Sequence, residues 1–306
     1  MNTLNQLDTP REITLTSGTI RYYDIGDGPA LFFVHGVLVN SALWRKVIPE
    51  LATRFRCIAP DLPLGGHSIP MPAGADQSPP GVARLVAEMI ASLELEDVTL
   101  VGNDTGGAIC QLVIAHHRER ISRLVLTNCD AFEQFPPALL VPFIHGPRIF
   151  GESFMHTLAW VLRSRRAQRL LIATLSRMRY TDAELDQYFA PLIAQAAIRR
   201  DASRFLAAAS NKHTLEAAHT FASFKHRVTL VWGTDDPFFT RNLAQRLSRA
   251  FPNASLTFVP QSRAFLSEDQ PQELVRRIMA EVPVHVYSRG QGSGAGNQEH
   301  ISITTP

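Results

Sequence analysis

Cysteine is scarce in this chain, three in 306 residues, and Cys57, Cys110 and Cys129 share no CxxC or Cys/His ligand spacing. That excludes a disulfide framework and the usual zinc patterns, and leaves buried free thiols as the expectation. No apolar run approaches the roughly 18 residues that span a bilayer. The opening MNTLNQLDTPRE lacks a basic-then-apolar leader pattern, so a cytoplasmic location with no membrane partner is expected. Charge is modest at 19%, with a net of +2, and the pairs Arg165-Arg166 and Arg199-Arg200 lie among apolar residues without interleaved aromatics. Nucleic-acid binding is therefore not expected. There is no dinucleotide fingerprint and no metal-ligand spacing, so no cofactor or metal is implied. There is no internal repeat, and nothing speaks to oligomeric state. What the chain does have is 45% hydrophobic residues, enough to bury a full core.

Those residues fall into alternating patterns. REITLT, TIRYYDIG and ALFFVHG read as short strands joined by tight turns, the third apolar throughout as a central strand should be. SALWRKVIPELA has a helical period, RFRCIAPDL reads as a strand, and SPPGVARLVAEMIASLEL as a helix capped by Ser78 with Pro79 in its first turn. VTLVGND, GGAICQLVIAHHRE and SRLVLTNCD continue the alternation, which predicts a mostly parallel α/β sheet with helices on both faces. From 131 to 224 the pattern is helical without a convincing strand. It includes MHTLAWVLRSRRAQRLLIATL and a segment opening on a Thr181/Glu184 capping box. RVTLVWG, RNLAQRLSRAF, ASLTFV and SEDQPQELVRRIMAEV resume the alternation. The reading is a core of 1–130 and 225–283, an inserted helical cap of 131–224, and a flexible tail of 284–306 rich in Gly and polar residues.

One stretch, LVGNDTGGAICQ, carries the chemistry: a strand ends, a Gly-containing turn puts Asp104 at its apex, and a helix follows. Together with His35-Gly36, the APDLPLGGHS loop and VWGTDDPF, it resembles the α/β-hydrolase superfamily over about residues 13–282. The turn is similar to the nucleophile elbow G-x-Nu-x-G. Asp at the apex, in place of Ser, resembles the branch of haloalkane dehalogenases and epoxide hydrolases. There a carboxylate attacks carbon and leaves an ester for water to cleave. The resemblance implies Val37 and Thr105 N–H as an oxyanion hole and Asp236 as the acid, with Asp235 its local competitor. Asp130 occupies the place from which a subset of dehalogenases draws its acid.

The third triad member is missing. VPQSRAFLSEDQP places Ala264, preceded by Arg263, where the resemblance calls for His. Without that base an ester on Asp104 should hydrolyse slowly, since a general base contributes about 10²–10⁴-fold. Three explanations remain open. A His from elsewhere substitutes (His35, His67, His145, His156, His213 or His219); Asp104 acts as a general acid/base in a non-hydrolytic lyase, isomerase or cyclase; or the site binds without catalysing. Asn40 is a candidate halide ligand and Arg263 a candidate anion contact. Phe132, Phe135, Phe143, Phe150 and Trp160 are candidates to line a pocket for a small to medium hydrophobic substrate.

Overall fold

The computed structural model describes residues 9–282. The expected tail, 284–306, lies outside the described residues, as does most of the opening segment. Eight strands form one sheet in the order β1-β2-β4-β3-β5-β6-β7-β8. β1 (Arg11–Leu15) and β2 (Gly18–Ile25) make a hairpin with Leu15 opposite Gly18, and β2 runs antiparallel to β4 (Arg56–Pro60). The other neighbours are parallel: β4 with β3 (Ala30–Val34), then β5 (Val98–Asp104), β6 (Ile121–Cys129), β7 (Arg227–Gly233) and β8 (Ala254–Val259). Each expected strand is present. β3 and β5 are buried along their whole length, which is why β3 reads as an unbroken apolar run rather than as alternation.

Parallel strands need crossovers, and helices supply them. α1 (Ile48–Leu51), α2 (Pro79–Ser92) and α3 (Thr105–His116) lie between the first six strands. α4 (Val141–Phe150), α5 (Glu152–Val161), α6 (Arg165–Leu175), α7 (Asp182–Ala194), α8 (Ala196–Ala208) and α9 (Asn211–Ala218) fill the chain between β6 and β7. α10 (Arg241–Ala250), α11 (Leu266–Asp269) and α12 (Pro271–Glu281) close the chain. Ser78 Oγ accepts from the Gly81 amide at 3.2 Å, and the Thr181/Glu184 capping box forms at the start of α7.

Three expected helices are broken, among them SEDQPQELVRRIMAEV, which divides at Gln270 between α11 and α12 because Pro271 follows. SALWRKVIPELA is a 3₁₀ turn over Ser41–Trp44 and then the short α1, because Pro49 has no N–H to bond back to Arg45 in a continuous helix. The long segment MHTLAWVLRSRRAQRLLIATL splits into α5 and α6, where Gln168 Nε2 donates to the Leu162 carbonyl at 2.7 Å and satisfies a helix-end acceptor. The helices between β6 and β7 are tied to the rest of the fold by an ionic cluster centred on the buried Arg45 and Glu268. Arg45 pairs with Glu268 of α11 at 2.9 Å and with Glu184 of α7 at 3.0 Å, while Lys46 pairs with Glu268 at 3.0 Å. All three cysteines are free and buried. Among the described residues, no helix is long and apolar enough to cross a membrane.

Candidate active site

β5 delivers Asp104 to its carboxyl end, and the backbone there turns abruptly into α3. Asp104 has φ +54° and ψ −133°, a conformation that costs a non-glycine residue about 1–3 kcal/mol and persists only when its surroundings enforce it. Two glycines show how tightly they do. A Cβ on Gly36 would fall on the Asp104 carboxylate, and one on Gly106 would fall on the carbonyl oxygens of Val34 and His35. Asp104 stands at the N-cap of α3, yet its side chain makes no capping hydrogen bond. The carboxyl instead lines a cavity of about 90 Å³.

The walls of that cavity are apolar, with Phe135, Phe189 of α7, Phe205 of α8 and Phe238 beside Val37. Two acids face it, Asp104 and Asp130. Burial, and then the charge of Asp236, push the Asp104 carboxyl up to about 7, against the opposing pull of the Thr105 and Val37 amides. Asp130 follows Cys129, which pairs with Asp104 across β5 and β6. Thr105 Oγ1 donates to its Oδ2 at 3.0 Å, whereas Oδ1 is buried with no hydrogen-bond partner. Burial and the neighbouring Asp104 hold its pKa well above the usual carboxylate range. Asp236 is bound differently. Its Oδ2 accepts from Asn128 Nδ2 at 2.7 Å, and its Oδ1 from the amides of Phe238 at 2.8 Å and Phe239 at 3.2 Å. Burial raises it to about 6, with those donors and Arg263 pulling the other way. Its neighbour Asp235 points outward and pairs with Arg177.

The sequence candidates therefore separate. Val37, Thr105, Asp104 and Asp130 meet at the cavity, with Asp236 close enough to raise the pKa of Asp104. His35 is fully buried away from it. Its Nε2 accepts from the Leu62 amide at 2.8 Å, and burial lowers its pKa to about 4, so it is a structural histidine. His67 is engaged with Asp201 at 3.3 Å, and His156 Nδ1 accepts from Arg199. Among the described residues no histidine lines the cavity, and the substitute-base expectation is not met there. Asn40 caps the Ser41 turn and donates to the Gly66 and Gln187 carbonyls, so its amide is spent on backbone rather than on a halide. Arg263 sends its guanidinium to the Ala173 carbonyl instead of into the cavity. Ala264 is fully buried, and its carbonyl accepts from Asn103 Nδ2 at 2.6 Å.

Of the aromatic candidates, Phe135 lines the cavity, Phe132 packs edge-on against Phe221, and Phe150 and Trp160 are 64% and 69% exposed. The Phe143 side chain lies outside the described residues. Phe189, Phe205 and Phe238 were missed. Phe238 carried a signal in the PFF that ends VWGTDDPFF, whereas the faces of α7 and α8 are set by packing that periodicity alone does not reveal.

Residues 29–271 match the family model described as alpha/beta hydrolase fold. Haloalkane dehalogenase 2 of Mycobacterium tuberculosis (strain ATCC 25618 / H37Rv) is 29% identical over 272 residues, covering 86% of this chain and 91% of that protein. A crystal structure of an alpha/beta hydrolase fold protein from Burkholderia ambifaria superposes with a TM-score of 0.78 at 25% identity, over 89% of this chain and 98% of the other. The epoxide hydrolase CorEH shares the fold, with a TM-score of 0.75 at 18% identity over 89% and 98% of the two chains.

Proposed function

Since the chain belongs to the alpha/beta hydrolase fold family, we propose that it is a hydrolase in which Asp104 attacks an electrophilic carbon of a small to medium hydrophobic substrate, such as a carbon halide, epoxide or activated ester. One observation carries the reading: the Asp104 carboxyl, free of helix capping, faces an apolar cavity with the Val37 and Thr105 amides against it. An attacking carboxylate needs that exposure, and the ester it forms needs two donors for the oxyanion that appears when water adds. Asp236, with both oxygens engaged by donors, supplies a fixed negative charge that makes Asp104 more basic and so more nucleophilic. The apolar walls suit an alkyl or aryl substituent and give it no hydrogen-bonding partner.

A second reading draws on the same carboxyl. A pKa of about 7 suits proton transfer at neutral pH, so Asp104 would serve as the acid/base of a non-hydrolytic reaction. Turnover in ¹⁸O-water separates the two. A nucleophilic Asp104 is expected to carry heavy oxygen in its own carboxylate after several cycles, as mapped by peptide mass spectrometry. Steady turnover with unlabelled Asp104 would refute the nucleophile, and binding without turnover by both wild type and Asp104→Ala would leave a binding protein.

A further inference from the structure

With no histidine among the described residues at the cavity, the ester that Asp104 forms still needs something to activate water, and the fold places one group where it can act. We infer that Asp130 is the acid/base of this site, giving its proton to the leaving oxygen in the first step and taking one from water in the second. The substrate class that follows is a strained carbon–oxygen electrophile whose oxygen leaves as an alkoxide, an epoxide. This rests on Asp104 being the nucleophile.

Geometry selects Asp130 over Asp236. Both oxygens of Asp236 are taken up by Asn128 and the Phe238 and Phe239 amides. Asp130 lines the cavity with Asp104, uses only Oδ2, on the Thr105 hydroxyl, and keeps Oδ1 buried and unpartnered. Burial and the Asp104 charge favour its neutral form, so it begins the cycle with a proton to give. The remaining polar side chains of the wall are committed, Thr105 to Asp130 and Thr174 to the Leu171 carbonyl. Among the described residues no Trp or Asn side chain lines the cavity to receive a halide.

The steps balance. An Asp104 oxygen bonds to the electrophilic carbon as the bond from that carbon to the leaving oxygen breaks. Asp130 protonates that oxygen and becomes a carboxylate. It then accepts a proton from water as the water oxygen adds to the ester carbonyl, with the oxyanion against the Val37 and Thr105 amides. Collapse breaks the acyl carbon–oxygen bond, and the departing alkoxide takes the proton of the newly formed Asp104 carboxylic acid. Asp104 ends ionised and Asp130 protonated, as both began. Carbon–oxygen cleavage thus generates its own base. A halide leaves without a proton, so Asp130 stays neutral and the resulting ester has no base to remove it.

The test pairs two probes on wild type and Asp130→Asn: a short-chain terminal epoxide and the alkyl iodide of matching length, with intact mass and product followed over time. In wild type, the epoxide is expected to turn over while the iodide leaves a persistent adduct on Asp104. In Asp130→Asn, the ratio of epoxide to iodide reactivity is expected to fall at least about 100-fold, the lower end of a general acid's contribution. An unchanged ratio, or wild-type esters from both probes cleared at equal rates, overturns the role of Asp130 and leaves the Asp104 nucleophile standing. Reaction of wild type with neither probe at Asp104 overturns both. The wild-type comparison needs no variant to fold.

Discussion

The cost of holding Asp104 where it is should be measurable as stability. On folding, its carboxyl goes from 3.8 to about 7, chiefly through burial and then through the charge of Asp236. At about 1.4 kcal/mol per pKa unit, a rise of about 3 units means that the ionised side chain costs the fold roughly 4 kcal/mol. The sign is fixed by proton counting. Between about pH 4 and 7 the folded state holds more protons than the unfolded one, so stability falls as pH rises through that window and levels off above it. Asp104→Asn removes the charge while keeping an oxygen to accept from the Val37 and Thr105 amides. We predict that it is more stable than wild type by roughly 4 kcal/mol at about pH 8, and hardly different at about pH 4. At roughly 2 °C per kcal/mol for a chain of this size, the melting temperature at the higher pH should rise by about 8 °C. Urea titrations and thermal melts across that range, followed by tryptophan fluorescence, give both numbers. A variant no more stable than wild type at pH 8, or a difference that ignores pH, would refute the account of the site as electrostatically strained.

Three further predictions concern particular contacts. Gly36→Ala puts a methyl group onto the Asp104 carboxylate; adduct formation at Asp104 should drop by about 100-fold or more, as a displacement near 1 Å costs, and unaltered labelling would contradict the packing described. Asp236→Asn removes the like charge beside Asp104, so the pH midpoint for alkylation should move from about 7 toward acid. A midpoint that stays put would exclude that coupling. Arg45→Met leaves Glu268 buried with Lys46 as its remaining cation and Glu184 without Arg45; a loss of about 3 kcal/mol or more is expected in urea unfolding, and a neutral result would show that the cluster does not secure α7 to α11.

The strands and the elbow were legible because short-range rules determine them. ALFFV is apolar without alternation because both faces of β3 are covered, and Gly-flanked Asp104 announces a sharp turn whatever surrounds it. Legibility failed where distant groups compete. Asn40 had the right chemistry for a halide, but two carbonyls 26 and 147 residues away claimed its amide. Trp160 had the right size for a pocket wall, yet α5 turns it to solvent, whereas Phe189 on α7 and Phe205 on α8 turn inward. Asp130 was visible only as an alternative acid; that its Oδ1 stays unpartnered depends on where Thr105 points, which no spacing encodes.

The cavity has one further consequence. Its wall side chains, being almost wholly apolar, have nothing with which to tell one functional group from another, so away from the reacting carbon they can only register length and girth. Each methylene that fits is worth about 0.8 kcal/mol, or roughly fourfold in reactivity. A homologous series should therefore climb in near-even multiplicative steps and level off once the added carbons no longer lie against the walls. The protein would work as a ruler, reading chain length in carbons and leaving chemical identity to the single reactive end.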